Sequence, residues 1–277
     1  MMRTPYPVER PADRLQFPYQ PATIHVRTIH TEYCWSKVFA STTRAIGSCV
    51  TNELSDATLS LDPAFGDRFH REKRPPCQLY LISPADVSGG FPERLRRALG
   101  AGPVAAFQLR IKGFDQHAAA ALAEPLQRIC ADHDVAFIVN DSAALAKRLG
   151  ADGVHLGQSD GDVREARELL GREAQIGRTC HDSRHLAMEA GEAGVDYVAF
   201  GAFHETTTKP SNYRPGPEIL GWWTTLFATP CVAIGGITPA NAPPLIEAGA
   251  DFIAVCQAVW GGDEAAAVQA FAEVLGG

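Results

Sequence analysis

Basic charge is scarce in this 277-residue chain: 25 Lys and Arg stand against 32 Asp and Glu, a formal charge of −7. A general nucleic-acid binder usually carries a basic footprint, so the charge argues against that class. Any anionic small molecule has to be gripped by a few well-placed cations. Long apolar runs are missing too. No stretch of 18 apolar residues occurs, so no transmembrane helix is expected. The opening segment, MMRTPYPVERPADRLQFPYQ, lacks the continuous apolar core of a secretory signal. The seven cysteines include no CxxC pair, and Cys130, Cys231 and Cys256 sit inside apolar runs. They read as small core residues in a reducing compartment, which points to the cytoplasm. What remains is an ordinary apolar share of 45%, in a chain long enough to bury a substantial core.

The chain changes character near residue 77. Residues 1–77 hold 8 of the 19 prolines, nearly balance 10 Lys/Arg with 8 Asp/Glu, and show no sustained period. They read as a poorly ordered extension, or as the product of a misassigned gene start. Met188 is the only methionine after Met2, so a shorter product would need a non-Met start codon. Residues 78–277 carry the acidity, 15 against 24, and form the expected catalytic domain.

In that domain short apolar runs alternate with amphipathic stretches. Strand candidates are LYLIS (79–83), VAAFQLR (104–110), VAFIVN (135–140), GVHL (153–156), AQIGR (174–178), YVAFG (197–201), CVAIGG (231–236) and FIAVC (252–256). Helix candidates include 115–131, 161–170, 183–193, 239–248 and 262–275. A Gly-x-Asp signature recurs at Gly150-Ala151-Asp152, Gly194-Val195-Asp196 and Gly249-Ala250-Asp251. Glycine past a helix end supplies a left-handed cap, and the apolar run after Asp opens the next strand. Spacings of 44 and 55 residues are too irregular for a solenoid. The pattern predicts an α/β fold, a single (β/α)₈ TIM barrel, with a doubly wound open sheet as its competitor.

Active sites of such barrels lie at the C-terminal strand ends, where polar residues gather here. Gln108 and Arg110 share a face by alternation, and Lys112 continues it into the loop. Asn140 and Asp141 follow the third strand; either is also an ordinary N-cap for the segment from Ala143. Asp160 follows the fourth strand as a turn or cap residue, and His155 within it reads as a satisfied core histidine. Together, Asp141 and Asp160 match the way Mg²⁺ takes one or two carboxylates plus substrate phosphates. His181 is an acid/base group or part of a helix cap. Glu205-Thr206-Thr207-Thr208-Lys209-Pro210 reads as an anion clamp or lid. Gly235-Gly236 allows backbone N–H groups to approach a phosphate.

The stretches QLRIK (108–112), ND (140–141), GADGVHLGQSD (150–160), DYVAFGAF (196–203), TTTK (206–209), AIGGI (233–237) and GADFIAV (249–255) together resemble the thiamine phosphate synthase family. The resemblance spans residues 78–277. It implies that Gln108, Arg110, Lys112, Asn140 and Lys209 hold an aminopyrimidine diphosphate, with Mg²⁺ on Asp141 and Asp160. Arg110, Lys112 and Lys209 would offset charge on the leaving pyrophosphate. Thr179, Thr206 and Thr208 would line a thiazole phosphate site, with backbone N–H groups of Gly236, Cys256 and Gln257 on its phosphate. Three positions depart from the family pattern: Thr179 for Ser, Arg178 for a small apolar residue, and Gln257 for a small one. A thiazole tautomerase-like paralogue using His181, and a non-catalytic sensor of thiamine precursors, are the alternatives.

Overall fold

The computed structural model describes residues 74–276, apart from Lys112, Phe114 and residues 207–211. Within them β1 (Gln78–Ile82), β2 (Ala106–Leu109), β3 (Ala136–Asn140), β4 (Gly153–Leu156), β5 (Gln175–His181), β6 (Tyr197–Gly201), β7 (Cys231–Ile234) and β8 (Phe252–Val255) close into a parallel barrel. Each strand pairs with its sequence neighbour, and β1 pairs with β8 to seal the cylinder. The closure rules out the open sheet. Around it run α1 (Phe91–Gly100), α2 (Gln116–Asp132), α3 (Ala143–Leu149), α4 (Val163–Leu170), α5 (Arg184–Ala193), α6 (Glu218–Leu226), α7 (Pro243–Glu247), α8 (Gln257–Trp260) and α9 (Glu264–Leu275).

Alternation divides each strand between two layers. Leu79, Leu81, Phe107, Leu109, Phe137, Val139, Val198 and Phe200 pack outward in the core that the helices cover. Tyr80, Ile82, Gln108, Ile138, His155 and Tyr197 alternate with them and face the interior. This inner set is the more polar, and it makes the floor of the site.

The Gly-x-Asp signature does two jobs. Gly150 and Gly194 adopt left-handed caps on α3 and α5. Each aspartate then staples the strand it precedes to the one before. Asp152 accepts from Phe137 N at 2.8 Å, Asp196 from Ile176 N at 2.6 Å, and Asp251 from Cys231 N at 2.8 Å. Asp251 also receives the Arg74 guanidinium at 2.7 and 2.8 Å, while Arg74 donates to Phe227 O at 2.5 Å. Arg74 therefore belongs with the barrel, four residues before the expected boundary at 78. Residues 1–73 of the expected extension lie outside the described residues.

Candidate active site

The C-terminal strand ends open into a cavity of about 1110 Å³. Gln108 and Arg110 both reach its wall, as alternation required. Asn140 and Asp141 join them from β3, Thr179 and His181 from β5, Thr206 from the loop after β6, and Gly236, Cys256 and Gln257 from the ends of β7 and β8. Asp160 is not among the lining residues. Lys112, Thr208 and Lys209 lie outside the described residues.

The capping readings are corrected. Ser142, not Asn140 or Asp141, caps α3, accepting from Leu145 N at 3.1 Å. Asp162, not Asp160, caps α4, accepting from Arg164 N at 2.7 Å and Glu165 N at 3.2 Å. Ser183, not His181, caps α5. Each candidate site residue is thus relieved of helix-end duty by a neighbour one or two positions on. Asp141 instead sits at φ +67°, a left-handed conformation that Asp tolerates better than most residues, and its N–H donates to His155 O at 2.8 Å. Asp160 closes a turn: its carboxylate accepts from Gly157 N at 2.9 Å and from the Ser159 hydroxyl at 3.3 Å.

A hydrogen-bonded chain crosses the floor. Gln108 Nε2 donates to the Tyr80 hydroxyl at 3.0 Å, which meets the Tyr197 hydroxyl at 3.0 Å. Tyr197 meets His155 Nδ1 at 3.1 Å, and His155 Nε2 meets Thr179 Oγ1 at 2.8 Å. His155 is a satisfied buried histidine, as expected, but its partners bind both halves of the site together. Burial pushes the Tyr80 hydroxyl up to about 12 and Tyr197 well above its ordinary value, so both stay neutral. Gly177 makes room for the chain: a Cβ there would lie 2.0 Å from the Tyr197 ring.

A bulge in β5 between Thr179 and His181 leaves Cys180 in the outer core and sends the residues flanking it to the cavity. His181, at φ +56°, stacks on Tyr213 with centroids 4.1 Å apart. Across the cavity, Gly236 at φ +62° lies so close to the Glu205 carbonyl that a Cβ would sit 2.2 Å from it. Only glycine fits that approach. Cys256 departs from expectation, being half-buried on the cavity wall rather than in the core. Sequence reasoning missed Tyr80, Tyr197 and Tyr213; a tyrosine at an inward strand position is the one signal that could have flagged the first two.

Among the described residues, no group of three His, Cys, Asp or Glu is placed to hold a metal ion. Asp141 and Asp160 offer oxygen donors only, which suits a hard cation that keeps water and takes substrate phosphate oxygens. The Asp141 backbone N–H donates to His155 O in β4, and the Asp160 carboxylate accepts from the N–H of Gly157, the residue after β4. By donor chemistry the two carboxylates suit Mg²⁺.

Residues 79–259 match the protein-family description Thiamine monophosphate synthase. The chain belongs to this family. It is similar to the thiamine-phosphate synthase of Erythrobacter litoralis, 72% identical over 204 residues that cover 72% of this chain and 96% of that one. The thiamine-phosphate synthase of Rhodospirillum centenum is 53% identical, covering 73% and 99%. Among solved structures, the thiamine phosphate pyrophosphorylase of Pyrococcus furiosus superposes with a TM-score of 0.65 at 30% identity, covering 72% of this chain and 95% of that one. These matches favour neither a tautomerase-like paralogue nor a non-catalytic sensor. Within the family's barrel, Thr179 keeps the hydroxyl expected of Ser and spends it on His155.

Proposed function

We propose that the chain is a thiamine phosphate synthase of the cytoplasm, a transferase that joins 4-amino-2-methyl-5-(diphosphooxymethyl)pyrimidine to a thiazole phosphate with loss of pyrophosphate. One observation carries this reading: a single cavity collects Gln108, Arg110, Asn140, Asp141, Thr179, Thr206, Gly236, Cys256 and Gln257. In the reaction, the bond from the pyrimidine methylene to pyrophosphate oxygen breaks. The thiazole nitrogen then donates its pair to that carbon. No covalent nucleophile is required. Gln108, one of whose amide N–H groups donates to Tyr80, would offer its oxygen to the amino group of the pyrimidine. Asn140 orients the pyrimidine beside it. Arg110, with Lys112 and Lys209 from outside the described residues, offsets charge on the departing pyrophosphate. Asp141 and Asp160 would hold Mg²⁺, which supplies further positive charge to the same oxygens. Thr179 and Thr206, with Thr208 from outside the described residues, serve the thiazole side, and backbone N–H groups of Gly236, Cys256 and Gln257 take its phosphate.

Cys77, Cys130, Cys180 and Cys231 are thiols, which supports a reducing compartment. Among the described residues, no helix is long and apolar enough to cross a membrane. Residues 1–73, the part of the 1–77 segment before Arg74, are proposed to be an extension outside the catalytic domain. The test is direct: purified chain given both precursors and Mg²⁺ should form thiamine phosphate and pyrophosphate, and EDTA should suppress it. No product under those conditions refutes the assignment.

A further inference from the structure

Asp160 lies on a turn that no helix supports, because α4 begins only at Val163 with Asp162 as its cap. Two adjacent residues of β5 hold that turn from outside. The Arg178 guanidinium donates to Gly161 O at 2.7 Å and to Gln158 O at 3.3 Å. Gln158 Nε2 in return donates to Thr179 O. The two carbonyls gripped by Arg178 bracket Asp160 in the chain. Inside the turn, Asp160 binds back to Gly157 N, and Gly157 could carry no Cβ without meeting that carboxylate at 2.6 Å. A forked guanidinium presents N–H groups to two carbonyls in fixed geometry, which a shorter, flexible lysine matches less well and an apolar side chain not at all.

We propose that Arg178 is a positioning residue: by gripping the Gln158 and Gly161 carbonyls it presets the Asp160 carboxylate for Mg²⁺. The proposal rests on the magnesium reading given under Proposed function. It predicts two linked effects of Arg178→Ala in the full chain. Amide exchange across residues 157–162, measured without metal, should quicken about tenfold or more. The Mg²⁺ concentration for half-maximal rate should rise about tenfold to a hundredfold, the range seen when supports of metal ligands are lost, while kcat at saturating Mg²⁺ stays within about twofold. Arg178→Lys, able to reach one carbonyl, should fall between the two, and it carries the same test should the alanine variant not fold. Unchanged exchange overturns the proposal. So does faster exchange with an unchanged Mg²⁺ requirement, or a loss of kcat that Mg²⁺ does not restore. Equal turnover of the unaltered chain in EDTA and in Mg²⁺ would remove the magnesium reading, and with it this role for Arg178.

Discussion

Adjacent residues at two strand ends should respond to substitution in opposite ways. Ser142 and Asp162 cap α3 and α4, whereas Asp141 and Asp160 stand beside them without that duty. Removing a capping side chain costs about 0.5–2 kcal/mol. For a domain of this size each kcal/mol moves the melting temperature by about 2–4 °C. Ser142→Ala and Asp162→Ala should therefore each lower melting by about 1–8 °C and leave the Mg²⁺ response alone. Asp141→Asn should leave folding intact, because Asn accepts the left-handed backbone at φ +67° as readily as Asp. Asp160→Asn keeps an oxygen for Gly157 N. Both should melt within about 0.5 kcal/mol of the parent. Under the proposed magnesium reading, each removes a charge that the cation needs. Activity at limiting Mg²⁺ should drop about a hundredfold and recover partly at high Mg²⁺. Thermal melts without metal and rates across an Mg²⁺ series measure both axes. Melting losses in Asp141→Asn and Asp160→Asn equal to those of the cap variants, with normal rates at limiting Mg²⁺, would refute this division of labour.

Tyr197→Phe should cost about 1–3 kcal/mol, because the Tyr80 hydroxyl and His155 Nδ1 each lose a buried partner; an unchanged melting temperature would show that the floor network is dispensable. The Tyr80 hydroxyl, raised from 10.0 to about 12 by burial, contributes stability that is complete below pH 10 and lost as pH rises toward 12. Melting should accordingly hold level up to about pH 10 and fall above it, and a level profile through pH 12 would contradict this. Lys209→Ala should lower kcat strongly with melting within about 0.5 kcal/mol; a full kcat would remove this lysine from the mechanism. A chain starting at Arg74 should melt as the whole chain does and keep kcat/KM within about threefold. One starting at Gln78 should lose about 1–3 kcal/mol, because Asp251, 9% exposed, gives up its guanidinium.

The barrel was legible because its strands are short runs of buried residues bounded by turns, and eight such runs in sequence leave few alternatives. Helix ends were harder to read. The stretch 239–248 shortens to Pro243–Glu247, since the paired prolines set its start and Asn241 closes a preceding turn onto Thr238 N at 2.7 Å. The stretch 262–275 is α9 but for its first two residues, while the short α8 at Gln257–Trp260 precedes it without a signal of its own. Helix α1 carries no side-chain cap, which leaves the proline in its first turn as the chief mark of its start. In the site, Gln108 and Arg110 could be placed by alternation alone. The Tyr80–Tyr197 contact could not, because it joins residues 117 apart through the barrel interior. Arg178 stands in the sequence as a departure from the family pattern, and the fold of the turn after β4 brings two carbonyls to it.

The aspartate staples tie β4 to β3, β6 to β5 and β8 to β7. Seen from the floor of the barrel, six of the eight strands are therefore grouped into three two-strand modules, each closed by one side chain reaching across a single gap. Such a molecule has preferred seams. Fragments divided between α4 and β5, or between α6 and β7, keep every staple within one piece. A cut between β5 and β6 strands Asp196 on the wrong side of the break. Complementing halves should reassemble more readily from the first kind of cut than from the second, and slow-exchanging amides should cluster module by module.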